Sequence, residues 1–267
     1  MKILLIAYPD LKKDPRPYRQ IKSLYKNHEL HTIGGGKSGL EVSFHKIKKH
    51  KFYIELIRIF LLKFGFYERY YWDRYKKQTK HKYKNIKYDL IIAHEIRLVP
   101  LAIEIAKDSP VILDAHEYSP KNFDDSFLWR VFIKKYYTKL CKDYLTKVKK
   151  VITVSQGIVE EYQNEFKTDT SLITNASEYN STLSPSSVDS RKIRIIHHGI
   201  AGPSRKLELL VDMMNYLDND KYELNLMLIT STYTKLYAYK LKKLSKGLNI
   251  NFLKPVKRSN LISYSNQ

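Results

Sequence analysis

Short apolar runs alternate with segments of helical period along the first two thirds of the chain. The runs are Ile3 to Tyr8, Leu30 to Ile33, Asp89 to Ala93, Val111 to Ala115, Val151 to Val154 and Ser171 to Thr174. Runs of this length with helices between them predict a mostly parallel sheet covered on both faces, a Rossmann-like α/β domain. The intervening helices are expected near Pro17 to Asn27, Val99 to Lys107 and Phe127 to Leu145, with a fourth opened by Ser155 as N-cap. In the long one, Trp129, Phe132, Ile133, Tyr136, Leu140 and Tyr144 recur at three-to-four spacing, which assigns these aromatics to the core.

The polar, Ser-rich stretch 182–191 reads as a linker. It separates an N-terminal domain, 1–181, from a second part, 192–267, with strands at Ile193 to His198, Leu224 to Ile229 and Ile250 to Leu253. A doubly wound sheet of this kind has about six strands. Three are legible here, so the second domain is expected to be partial, its pattern stopping at Gln267 inside another helix.

With 267 residues and 43% hydrophobic content, two real cores are affordable. The single cysteine, Cys141, excludes an internal disulfide framework and suits a reducing, cytoplasmic setting. The N-terminal apolar run is short, lacks a small-residue cleavage site and leads into Pro9-Asp10, so it reads as a buried strand, not a signal peptide. No stretch reaches the ~18 apolar residues of a membrane span, since Arg58 interrupts the nearest one, Ile54 to Leu62.

Net charge is +21, which calls for an anionic partner or surface unless it is a compositional habit. The segment 45–88 concentrates it: Lys46, Lys48, Lys49, Lys51, Lys63, Arg69, Arg74, Lys76, Lys77, Lys80, Lys82 and Lys84 lie among Phe52, Tyr53, Phe60, Phe64, Phe66, Tyr67, Tyr70, Tyr71 and Trp72. Ile54, Ile57, Leu61, Phe64 and Tyr71 are expected on one helical face. Basic residues and aromatics beside an apolar face suit an interfacial helix on an anionic membrane. The same ingredients suit a nucleic-acid groove or a plain helix with a solvated Lys-rich exterior; the membrane surface is the reading taken, with no nucleic-acid partner.

Ligands of an open parallel sheet bind beyond the carboxyl ends of its strands. Polar clusters fall there: Asp10 and Asp14-Pro-Arg16-Pro-Tyr-Arg19, then His94-Glu95, Asp114-Ala-His116-Glu117-Tyr118 and Asn175-Ala-Ser177. Asp14, Arg16, Arg19, His94, His116 and Asn175 are the candidate site residues, with no metal site expected. Gly34-Gly35-Gly36 follows the second strand and no GxGxxG follows the first, which disfavours a nicotinamide enzyme, and no Walker pattern is present. In the second part, His197-His198-Gly199 leads to Gly202-Pro-Ser204-Arg205-Lys206, with a helix expected from about Ser204. Gly199, Arg205, Lys206 and that helix N-terminus form a candidate diphosphate site.

These motifs in this order resemble the retaining, GT-B-fold glycosyltransferases of the group 1, family 4 class, over nearly the whole chain. The carriers are Asp14-Pro-Arg-Pro-Tyr-Arg19, Val111-Ile-Leu-Asp-Ala-His-Glu-Tyr118, Val151-Ile-Thr-Val-Ser155, Leu172-Ile-Thr-Asn175, and Ile195-Ile-His-His-Gly199 followed by Ser204-Arg-Lys-Leu-Glu208. The resemblance implies two Rossmann-like domains, an acceptor side and a nucleotide-sugar side, and transfer with no cofactor and no essential metal. It implies that His116 lies by the reacting sugar or acceptor, that Asn175 sits near the cleft, and that Arg205 and Lys206 hold the donor diphosphate. Many relatives carry Arg where this chain has Ile200, and the family's Glu-containing donor motif is expected past Gln267. The implied role is glycosyl transfer to a lipid-linked or polysaccharide acceptor, peripheral to the inner face of a bacterial membrane. A non-catalytic binding protein and a nucleic-acid binder are the alternatives.

Overall fold

The computed structural model describes the chain except for residues 48–50, 73–82, 84–85, 177–178, 185, 188, 233, 258–259 and 267. Contacts divide it into two units, Met1–Ala176 and Ser177–Gln267.

In the first unit the strands are β1 (Lys2–Ile6), β2 (Glu29–Gly34), β3 (Ser43–Lys46), β4 (Leu90–His94), β5 (Val111–Ala115), β6 (Lys150–Thr153) and β7 (Thr170–Leu172). They form one seven-stranded sheet in the order β3-β2-β1-β4-β5-β6-β7, and all six pairings are parallel. The central strands are apolar on both faces because helices cover both. Leu4, Ile6, Ile91, Leu113 and Val151 pack into one core, while Ile3, Leu5, Ile21 and Leu30 pack into another across the sheet. Chain order reverses between β1 and β4, so the crevice at their carboxyl ends is where such a sheet accepts ligands.

Helices α1 (Pro15–Leu24), α3 (Val99–Ala106) and α6 (Gln156–Phe166) fall where the sequence pattern puts them. Asp14 caps α1 by accepting from the Arg16 amide at 3.2 Å, and Ser155 stands at the N-cap of α6 without a side-chain cap bond. The long helix expected over Phe127 to Leu145 is instead two, α4 (Phe127–Phe132) and α5 (Lys134–Tyr144), joined at Ile133 with φ −115°. Its aromatics still go inward as the spacing demands, with Trp129, Tyr136 and Leu140 buried.

The basic aromatic segment holds the edge strand β3, which its sequence does not announce, then α2 (Phe52–Lys63) and helical residues 67–72. Lys48, Lys49, Arg74, Lys76, Lys77, Lys80, Lys82 and Lys84 lie outside the described residues. The expected apolar face is split: Ile57 and Phe64 are exposed, Ile54 and Leu61 are half-buried, and Tyr71 is buried with Leu62 in the core. Arg58 is 8% exposed, stacked over the Tyr70 ring at 5.0 Å and donating to the Tyr70 carbonyl, whereas Tyr53, Leu56, Ile57, Phe60 and Phe64 are exposed. Helix α4 adds Phe127 and Leu128 to this outward apolar set.

In the second unit β8 (Ile193–Ile200), β9 (Tyr222–Ile229) and β10 (Ile250–Leu253) form a parallel sheet in the order β10-β9-β8. Helices α7 (Glu208–Met213) and α8 (Lys235–Leu244) cover one face through Leu207, Val211, Met214, Leu224, Leu226 and Leu241. The opposite face carries Arg194, Ile196, Glu223, Asn225 and Leu253, which with Tyr264 and Ser265 of the short α9 (Leu261–Ser265) line a cavity of about 250 Å³.

Candidate functional site

The carboxyl ends of β1, β4, β5 and β7 converge on one cluster. Its floor is set by the Gly34-Gly35-Gly36 run, where β2 passes against the loop after β1. An added Cβ on Gly35 would meet the Tyr8 carbonyl oxygen at 2.7 Å, and one on Gly36 the Asp10 carboxylate at 2.6 Å. These glycines serve close backbone approach, and they fix the loop that delivers Asp14, Arg16 and Arg19.

Arg16, just inside α1, turns its guanidinium toward the sheet. Its Nε donates to both carboxylate oxygens of Asp114 on β5, at 2.8 and 2.9 Å, and Nη2 stands 2.8 Å from Oδ1. The pair is buried, Asp114 completely. Gln20, one turn along α1, also donates to Asp114. Nη1 of Arg16 reaches past β7 to the Ile173 carbonyl at 3.0 Å and to Asn175 Oδ1 at 3.1 Å. Arg19 donates to that same Asn175 oxygen at 2.9 Å. Two guanidinium groups thus hold the chain as it leaves the last strand.

Next to the ion pair, His94 ends β4 as the register partner of Asp114. Its Nδ1 lies 3.0 Å from Nε2 of His116 and 3.5 Å from Asp114 Oδ2. His116 Nδ1 in turn stands 3.4 Å from Oε1 of Glu95. The result is a continuous chain Asp114–His94–His116–Glu95. Burial pushes the His94 imidazole down to about 3, against the pull of Asp114, and burial likewise lowers His116, so both rings are neutral near pH 7. Glu95 is moved the other way: burial raises its carboxyl to about 7, against Arg97 and the His116 backbone amide.

His94, Asp114 and His116 offer ligand atoms within 4.8 Å of one another, the spacing of a metal centre. The Asp114 carboxylate, however, is already neutralised by Arg16, and a cation there would face that guanidinium. The donor set fits a hydrogen-bonded relay better than an ion.

Of the residues read from sequence, the structure therefore brings Arg16, Arg19, His94, His116 and Asn175 into one network, with Asp14 as a helix cap at its edge. Gln20, Asp114 and Glu95 join them. Gln20 was findable as the position one turn beyond Arg16, on the same helical face; Asp114 and Glu95 adjoin the histidines in sequence but carry no pattern of their own.

The second-unit candidates sit differently from expectation. No helix starts at Ser204: Pro203–Arg205 is a single 3-10 turn, Lys206 adopts φ 48°, and α7 begins only at Glu208. The Tyr237 hydroxyl explains the delay, accepting from the Leu207 amide at 2.8 Å and donating to Glu208. Arg205 and Lys206 are exposed on that turn. Gly199, at φ 154°, occupies backbone space that side chains rarely adopt, which accounts for glycine there.

No protein-family model and no curated protein matches the chain. Solved structures do. Sucrose-phosphate synthase from Thermosynechococcus elongatus is similar at TM-score 0.70 and 12% identity, over 100% of this chain and 73% of that one. The E. coli trehalose-6-phosphate protein bound with UDP-2-fluoro glucose is similar at 0.62 and 11%, over 99% and 76%. Anabaena HepE in complex with UDP and glucose is similar at 0.59 and 15%, over 96% and 70%. What this likeness shows is architecture: a seven-stranded parallel sheet followed by a second, three-stranded parallel sheet, the α/β arrangement of the GT-B fold.

Proposed function

We propose that the chain is a retaining glycosyltransferase of the family 4 type, moving a sugar from a nucleotide-diphosphate sugar to a lipid-linked or polysaccharide acceptor in bacterial surface-glycan synthesis. One observation carries this reading. The cluster of Arg16, Asp114, His94, His116 and Asn175 occupies the switch point of a GT-B sheet, the position where such sheets take ligands. Fold neighbours solved with UDP, UDP-2-fluoro glucose and glucose support a nucleotide-sugar as donor.

In this reading the first unit takes the acceptor. His116 lies at the reacting centre, and Arg16, Arg19 and Asn175 shape its edge. Gly199, Arg205 and Lys206 of the second unit hold the donor diphosphate, whose departing charge is stabilised by the two cations, with no metal required. Membrane attachment, peripheral and on the cytoplasmic side, is supported by the outward apolar set of α2 and α4 with Lys51, Lys63, Arg69 and Arg130 exposed around it. No described helix is long and apolar enough to cross a membrane.

Calorimetric titration of UDP and a UDP-sugar panel into the purified chain tests the donor assignment. Saturable binding weakened about tenfold or more by Arg205→Ala, as loss of a charge-assisted phosphate contact implies, is the expected result. Equal affinity in that variant removes the diphosphate role. A second reading, a binding protein without turnover, is distinguished by measuring sugar release in the same samples.

A further inference from the structure

We propose that Glu95 is a positioning residue that fixes the tautomer of His116, holding Nδ1 as the proton donor and leaving Nε2 as an acceptor turned toward His94.

The argument starts from Asp114. Bound through both oxygens to Arg16, it is an anion and only accepts. A lone pair on His94 Nδ1 would face that anion 3.5 Å away, so we assign the hydrogen to Nδ1, which makes it the donor in the 3.0 Å hydrogen bond with His116 Nε2. A donor opposite Nε2 makes Nε2 the acceptor, so neutral His116 has its hydrogen on Nδ1. That hydrogen faces Glu95 Oε1 at 3.4 Å. Each assignment forces the next, and Glu95 ends the chain. His94 Nε2, buried and without a hydrogen-bond partner, is then a bare lone pair, the cheaper atom to leave unpaired in a neutral ring.

The backbone gives independent support. Glu95 sits at φ 73°, ψ 144°, a conformation that a side-chain-bearing residue rarely adopts. The strain turns the carboxyl off the end of β4 onto His116, where it also accepts the His116 backbone amide. Other charged groups bearing on the two residues are Arg97, Glu117, Asp114, Asp14 and Arg16; Arg97 lies over the Tyr8 ring at 4.4 Å.

Because burial lifts the Glu95 carboxyl to about 7, its charge changes in the neutral range. Above that point a carboxylate faces the Nδ1–H of His116 3.4 Å away, a charge-assisted contact; below it the contact is between neutral groups and weaker. Glu95 thus sets how firmly His116 is held, and the protonation it uses is its own.

Long-range proton–nitrogen NMR on the full chain labelled at histidine nitrogens reads tautomers directly, without turnover, so the outcome is separate from the donor reading. The wild type is expected to show His116 as the Nδ1–H tautomer, its ring signals shifting with a midpoint near neutrality. Glu95→Gln, whose amide oxygen still accepts, is expected to keep the tautomer and lose the pH-dependent step. Glu95→Ala is expected to give mixed tautomers, with unchanged His31 signals certifying the fold. An Nε2–H tautomer in the wild type, or a pH step surviving in Glu95→Gln, overturns the proposal.

Discussion

Arg16 and Asp114, 98 positions apart in sequence, form a buried ion pair in which one guanidinium nitrogen is shared between both carboxylate oxygens at 2.8 and 2.9 Å. A buried pair adds little over an apolar pair of the same shape, but stranding one partner is costly. Arg16→Met is therefore expected to lower unfolding free energy by about 3 to 5 kcal/mol, and the double variant Arg16→Met with Asp114→Leu to recover much of that loss. Urea unfolding of the wild type, both single variants and the double variant checks it; an additive double variant contradicts the pairing.

Acid sensitivity is expected to reflect two opposed groups. His94, depressed to about 3 from 6.5, is neutral in the folded state while the unfolded ring is charged, so it removes stability as pH falls from 6.5 toward 3. Glu95, raised to about 7 from 4.5, binds its proton more tightly folded, so it removes stability as pH rises from 4.5 to 7. Between pH 4.5 and 6.5 the slopes cancel in part. Glu95→Gln should unmask the histidine slope, up to about 1.4 kcal/mol per pH unit for one proton, in denaturant midpoints measured across that window.

Gly35→Ala is expected to destabilise the first unit by about 1 to 3 kcal/mol, because the new methyl meets the backbone oxygen of Tyr8 and not a movable side chain. Gly157→Ala, with nothing within 4 Å, is the matched control and should be neutral or mildly stabilising. Thermal unfolding of the two variants separates a packing role from a general glycine effect.

Ile57→Glu together with Phe64→Glu should reduce co-sedimentation with anionic phospholipid vesicles by tenfold or more while leaving thermal stability nearly unchanged, since both side chains already face water. Raising salt should weaken wild-type binding as well, each Lys or Arg near the surface being worth about 1 kcal/mol. Wild-type protein that ignores such vesicles refutes the interfacial assignment.

The strands were legible because a parallel sheet covered on both faces demands uninterrupted apolar runs, and Ile3 to Tyr8 or Val111 to Ala115 carry that demand openly. Strand β3 was not: Ser43-Phe-His-Lys46 pairs on one side only, is half-buried, and has no run to show. The break at Ile133 escaped because helical spacing continues through it. The burial of Arg58 depends on its finding the Tyr70 carbonyl and ring, a tertiary match that periodicity treats as a charge facing water. Sequence pointed to the histidines and arginines of the candidate site as loop residues after strands. Their mutual order, with Asp114 as anchor and Glu95 at the far end, is set by strand register and one strained φ angle, neither of which residue types encode.

The reach of Arg16 has a consequence for synthesis. Its Nη1 closes on Ile173 and Asn175, 157 and 159 positions downstream, so an arginine made among the first residues waits for most of the unit before its donors are met. A ribosome-bound intermediate ending before β7 holds the guanidinium without those acceptors. Completion of the network marks the moment when the nascent first unit becomes whole, and ligand affinity at this crevice is expected to appear late and at once, not strand by strand.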